Sequence, residues 1–139
     1  MKHDLCVFVV DDKPLVAYTV SAILRDEGHS AIPYTNPVAA LGDARSFTPD
    51  VLISDIEMPN LGGVELAIQI LALCPKCKVF LMTGHSGPIT SLDEARAQGF
   101  HFPLFEKPLS ARMLAEELEV FRDNQQTYPY GELEQAGIP

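Results

Sequence analysis

Five polar residues in this chain stand directly behind short apolar runs. Asp11 and Asp12 close "FVVDD", Asp55 closes "VLISD", Thr83 follows "VFLM" and Lys107 follows "PLFE". Like charges repel, so the adjacent carboxylates Asp11 and Asp12 need something positive beside them. If Asp55 joins them, three carboxylates at one place call for a cation. Oxygen-only ligands suit a hard ion, and Mg²⁺ fits because it accepts one or two carboxylates and keeps waters. Lys107 adds a second, fixed positive charge and Thr83 a hydroxyl. That combination suits the oxygens of a phosphoryl group in transfer. One carboxylate can itself be the nucleophile, giving an aspartyl phosphate. Asp55 is the candidate acceptor, because it stands alone behind its run and the loop "EMPNLGG" can hold an entrance open. Asp11 and Asp12 are then the metal ligands.

Singly, each residue has an ordinary alternative. An Asp behind a strand is a common turn or helix-capping residue, and a paired Asp alone is weak evidence for a metal. The functional reading rests on the ordered set, each member in register with a strand end.

The elements that would position the set can be read from hydrophobic patterning. The runs "LCVFVV" (5–10), "VLIS" (51–54) and "KVFLM" (78–82) lack apolar/polar alternation, which fits strands covered on both faces of a parallel sheet. Weaker runs, "AIPY" (31–34) and "PLFE" (103–106), complete five strands. Helical spacing lies between them. After Pro14, a good first helical residue, Val16, Val20, Ile23 and Leu24 share a face, and Gly28 ends the helix. Asn36 caps a short helix with Pro37 behind it. Leu66, Ile70 and Leu73 share a face of the third, "PITSLDEARAQG" forms a polar fourth, and Leu114, Leu118 and Phe121 mark the fifth. Ser110 can cap that last helix, with Leu109 and Leu114 as a hydrophobic staple.

Five β-α units predict one α/β domain, a doubly wound parallel sheet with helices on both faces. With strand order 2-1-3-4-5, the ligand crevice lies beyond the carboxyl ends of the first and third strands. Residues 1–124 form this domain, and 125–139, with little apolar periodicity, are a C-terminal extension or the start of a linker.

Composition sets bounds. The chain has 139 residues, 47% of them apolar, and a net charge of −9. The acidic total argues against direct nucleic-acid binding by this chain. No apolar run approaches the roughly 20 residues that cross a bilayer, and the first run is too short for a signal peptide. Three cysteines, Cys6, Cys74 and Cys77, point to reduced thiols and a cytoplasmic location. Cys74 and Cys77 form a C-x-x-C, but the four histidines are scattered and no zinc pattern completes it, so ordinary loop cysteines are expected.

The motifs "VVDDKP", "SDIEMPNLGG", "LMTG" and "EKPLS" together resemble the receiver domains of two-component response regulators. The resemblance covers about residues 4–123 and implies a flavodoxin-like (βα)5 fold similar to chemotaxis regulators. It implies that Asp55 takes a phosphoryl group from a phosphohistidine on a sensor histidine kinase or phosphotransfer protein. It also implies that Asp11, Asp12, Asp55 and the backbone carbonyl of Glu57 bind Mg²⁺, and that Thr83 and Lys107 contact the phosphoryl oxygens. The domain would catalyse its own phosphorylation and dephosphorylation without being a dedicated enzyme. Further implications are a cis Lys107–Pro108 bond, a switching surface read by a downstream protein or output domain, and, by analogy, a homodimer through the fourth-to-fifth-helix face.

One position departs from the family. Three residues before the lysine, where the family usually has Tyr or Phe as a switch, stands Leu104, and "GFHFPLFEKP" is one residue longer than usual. Phe102 and Phe105 are the aromatic candidates for that role, with core packing as the competing explanation. Glu57 and His85 hold positions that flank the path of hydrolytic water in such domains. Pairing between them across the mouth would lengthen the phosphoryl lifetime. Three other readings stay open: a C-x-x-C redox or metal protein, an Asp-nucleophile Mg²⁺-dependent phosphatase, and a receiver-like scaffold that is not phosphorylated. The first leaves the strand-end acids unexplained. The second usually begins with D-x-D and carries a cap domain, and the intact five-residue set opposes the third.

Overall fold

The reason the apolar runs lack alternation is visible in what covers them. The computed structural model describes residues 4–84, 87–108 and 110–127. In it, strands β1 (Cys6–Val10), β2 (Ser30–Tyr34), β3 (Val51–Asp55), β4 (Lys78–Thr83) and β5 (Leu104–Glu106) form one sheet, ordered β2-β1-β3-β4-β5. All four pairings are parallel. Between the strands run α1 (Pro14–Asp26), α2 (Pro37–Ala44), α3 (Gly63–Leu73) and α4 (Thr90–Ala97), and α5 (Ala111–Thr127) follows β5. This is the flavodoxin-like (βα)5 fold. Alternate residues of each strand face opposite layers. Phe8, Val10, Leu52, Val79 and Leu81 pack under α2, α3 and α4. Val7, Val9, Val51, Ile53, Phe80 and Met82 pack under α1 and α5. Each central strand thus needs apolar side chains on both faces.

The amino ends of the strands are pinned through Asp50. Its carboxylate accepts the Cys6 N–H at 2.8 Å, its own N–H donates to the Cys6 carbonyl at 2.8 Å, and its carbonyl accepts the Lys78 N–H at 2.9 Å. Fixing β1, β3 and β4 at one end sets how far each extends at the other. Helix ends follow local chemistry. Asn36 Oδ1 accepts the Val38 N–H at 2.9 Å, Ser110 Oγ accepts the Met113 N–H at 3.2 Å, and Gly28 leaves α1 at φ 99°.

Two details differ from the patterning. Leu73, expected on the core face of α3, is exposed because the helix ends there and Cys74 takes the buried position beyond it. Helix α5 runs to Thr127, past residue 124. The Leu109–Leu114 staple, His85 and the tail beyond residue 127 lie outside the described residues. Among the described residues, no helix is long and apolar enough to cross a membrane.

A buried histidine ties the end of α1 back to β1. His29 Nδ1 accepts the Leu5 N–H at 3.4 Å, so the folded state requires that nitrogen unprotonated. Burial first, and then the nearby Arg122 charge, lower its pKa, against Asp4, Glu27 and Glu119, which raise it. With the folded value below the unfolded one of about 6.5, the unfolded chain binds more protons as pH falls. This contribution is complete above about pH 6.5 and is lost as pH falls through the folded value. Urea denaturation at pH 7.5 and 5.5 should therefore show a loss of stability on acidification that shrinks in His29→Asn, whose amide oxygen replaces the Nδ1 acceptor. An unchanged pH dependence in that variant would remove His29 from the account.

Candidate functional site

The sheet brings the five polar residues to one edge. The β1–β3 register sets Val10 opposite Ser54, so continuing it one step places Asp11 level with Asp55. Thr83 ends β4 opposite Glu106 of β5, and the Lys107 N–H donates to the Thr83 carbonyl at 2.8 Å. The Lys107–Pro108 peptide is cis, as the family resemblance implies.

Asp11, Asp12 and Asp55 each offer a carboxylate oxygen within 4.8 Å of the others. Asp11 is fully buried, with Oδ1 accepting the Lys13 N–H at 2.9 Å and Oδ2 accepting from Lys107 Nζ at 2.7 Å. The same ammonium lies 3.4 Å from Asp55 Oδ1. Lys107 therefore bridges the first and third strands, held more tightly by Asp11. Burial alone would lower the lysine pKa, but the Asp11 hydrogen bond and the attraction of Asp55 and Asp11 outweigh it and leave it raised. For Asp55 the balance runs against ionisation. Burial, followed by repulsion from Asp11, pushes its pKa up, and Lys107 only partly offsets this.

Crowded acids, one of them resisting ionisation, fit a divalent cation. Asp12 Oδ1 is buried and has no hydrogen-bond partner, so it bears a desolvation cost that a coordinated ion would relieve. The donor set is all oxygen, which suits Mg²⁺. The residues present therefore fit the ion that the sequence points to.

The loop behind Asp55 is shaped by a glycine whose role the sequence did not disclose. Gly63 donates its N–H to the Ile56 carbonyl at 2.8 Å and starts α3 against the Asp55 backbone. A Cβ there would overlap the Asp55 carbonyl oxygen and lie 2.8 Å from its carbonyl carbon. The paired glycines of "NLGG" were the only signal, and they read equally well as loop flexibility.

Glu57 lies on the exposed loop after β3, two residues past Asp55. Leu104, at the family's switch position, is 37% exposed and pairs with Leu81, while Phe105 packs on Phe80 in the α1/α5 layer, ring centroids 5.7 Å apart. Phe102 is buried in the α2/α3/α4 layer and stacks on Phe100 at 5.9 Å. Both phenylalanines thus have packing partners on opposite sides of the sheet. Cys6, Cys74 and Cys77 are free thiols, and they do not join an acid or histidine in a metal-sized cluster among the described residues.

A five-stranded doubly wound sheet with three acids and a lysine at its carboxyl edge defines a narrow class of α/β protein. Over residues 7–119 the chain matches the response regulator receiver domain family, and it belongs to that family, a receiver domain of two-component signalling. It is 34% identical over 86 residues to the transcriptional regulatory protein CreB of Escherichia coli K12, covering 62% of this chain and 38% of CreB. Its backbone resembles that of a CheY-like receiver domain protein from Methanospirillum hungatei JF-1, with a TM-score of 0.79 at 22% identity, covering 90% of this chain and 98% of that one. It also resembles the beryllofluoride-activated NtrC4 receiver domain dimer, with a TM-score of 0.73 at 26% identity, covering 86% and 97% of the two chains. The chain thus spans well under half the length of CreB.

Proposed function

We propose that Asp55 accepts a phosphoryl group from a phosphohistidine on a sensor histidine kinase or phosphotransfer protein. The observation that carries this reading is the convergence of Asp11, Asp12 and Asp55 within 4.8 Å of one another, under an ammonium 3.4 Å from Asp55. Asp11, Asp12, Asp55 and the backbone carbonyl of Glu57 would hold Mg²⁺, which supplies positive charge against the phosphoryl oxygens when bound. An ionised Asp55 oxygen attacks phosphorus as the bond to the donor nitrogen breaks. Lys107 shifts from Asp11 toward the phosphoryl oxygens, and the Thr83 hydroxyl donates to another. Water attacking the same phosphorus later returns the free carboxylate.

The phosphoryl group carries about −1.5 to −2 charges where the ionised carboxylate carried −1. Drawing Thr83 and Lys107 inward biases the surface from α4 through α5 between two states that a downstream protein or output domain reads. A homodimer on that face is one form this output takes, in keeping with the activated NtrC4 dimer. Leu104 leaves the switch without the usual aromatic, so Thr83 and Lys107 carry the signal here. The three free thiols fit a reducing cytoplasm, and the net charge of −9 fits contacts with proteins more than with nucleic acid.

Acetyl phosphate with Mg²⁺ tests the assignment. The wild-type chain should gain one phosphoryl mass that maps to Asp55 after borohydride trapping, and Asp55→Asn should gain none. Incorporation that persists in Asp55→Asn would overturn it.

A further inference from the structure

Cys74 and Cys77 take no part in that chemistry. They flank the turn Cys74-Pro75-Lys76-Cys77 between α3 and β4, at the opposite end of β4 from Thr83. The Cys77 N–H donates to the Cys74 carbonyl at 3.0 Å, which closes a four-residue turn. Such a turn keeps its end Cα atoms within about 7 Å, and disulfides span about 4.4–6.8 Å between Cα atoms. Pro75 presets the backbone at the second turn position, so the reduced chain already holds the curvature that a bridge needs. Both cysteines line one open cavity of about 440 Å³, beside Asp50 and Lys76. Both thiols are free.

The two sulfurs are not equivalent. Burial raises the Cys74 thiol. Cys77 is pushed up to about 12, by burial first and then by Cys74, Asp50 and Cys6. Each thiol therefore reacts through a small thiolate fraction, and exchange runs faster as pH rises.

We propose that Cys74 and Cys77 form a dithiol–disulfide pair, closed by exchange with a low-molecular-weight disulfide. The Cys74 thiolate attacks one sulfur of that disulfide, forming a mixed disulfide and expelling one small thiolate. Cys77, as thiolate, then attacks Cys74 Sγ and expels the second. The protein loses two hydrogens as two electrons pass to the small disulfide, and the two protons complete the two small thiols released. The bridge fastens the end of α3 to the start of β4.

The test uses the full chain, first reduced and then incubated with excess glutathione disulfide. Thiol titration in denaturant should fall from three to one, and peptide mapping should show a Cys74–Cys77 bridge with no bound glutathione. Cys6→Ser should bridge as the wild type does, and Cys77→Ser should stop with glutathione on Cys74. The wild-type mapping decides the matter even if a variant fails to fold. A chain that stays fully reduced, stops at a glutathione adduct, or bridges through Cys6 overturns the proposal.

Discussion

Replacing Lys107 by Met is expected to lower the unfolding free energy in the absence of divalent ions by about 3 kcal/mol, the low end for breaking a buried ion pair. The size follows from what the substitution strands. Asp11 has no exposed surface, and its Oδ2 faces Lys107 Nζ at 2.7 Å, with Asp55 3.4 Å from the same nitrogen. Without the amine, Asp11 keeps the Lys13 N–H, 2.9 Å from Oδ1, but its Oδ2 loses the ammonium that faced it. The lysine's folded-state pKa is raised, so its stabilising contribution is complete below the unfolded value of about 10.4 and is lost only as pH rises through the folded value. A neutral-pH measurement therefore captures all of it. Saturating Mg²⁺ should recover more stability in the variant than in the wild type, because a ligand at 100 times its Kd contributes about 2.7 kcal/mol where the carboxylates lack other relief. Urea denaturation in EDTA and in Mg²⁺ measures both quantities. Equal stability of the two proteins in EDTA would mean that the pair is not what holds Asp11.

Gly63→Ala should be as damaging by another route. The added methyl would overlap the Asp55 carbonyl oxygen and approach the Ile56 Cα to 2.9 Å, and every one of these atoms is backbone. Neither the end of β3 nor the start of α3 can give way without moving Asp55. A loss of about 3 kcal/mol is expected for such overpacking, together with a loss of phosphoryl incorporation at Asp55. Gly62→Ala is the matched control. Its Cβ would stand 3.3 Å from the Ile56 carbonyl oxygen, and its φ is −72°. That neighbour should tolerate the methyl within about 1 kcal/mol. Thermal melts of the two variants separate a steric demand at residue 63 from a general need for glycine in the loop.

How much of this was legible beforehand depended on whether a feature is local or long-range. The central strands could be read because residues such as Phe8 and Val9, or Leu52 and Ile53, must be apolar on both faces. The same logic made Asp11, Asp55 and Thr83 conspicuous, since each breaks an apolar run. β5 was faint because it has only three residues, with both ends exposed. Leu73 obeyed the helical period but lay at the helix's last turn, where periodicity no longer decides burial. The choice of Asp11 over Asp55 as the tighter Lys107 partner depends on distances across 96 residues of chain. So does the anchoring of β1 by Asp50. Gly63 is informative only once the Asp55 carbonyl is known to lie against it. Spacing along one chain cannot express either fact.

Calorimetric titration with MgCl2 probes the shared acid cluster most directly. The wild type should bind one ion per chain, and Asp12→Asn, which alters the carboxylate whose buried oxygen lacks a donor, should bind at least about tenfold more weakly, a difference of roughly 1.4 kcal/mol. Absence of binding to the wild type, or equal affinity in the variant, would contradict a cation held jointly by Asp11, Asp12 and Asp55.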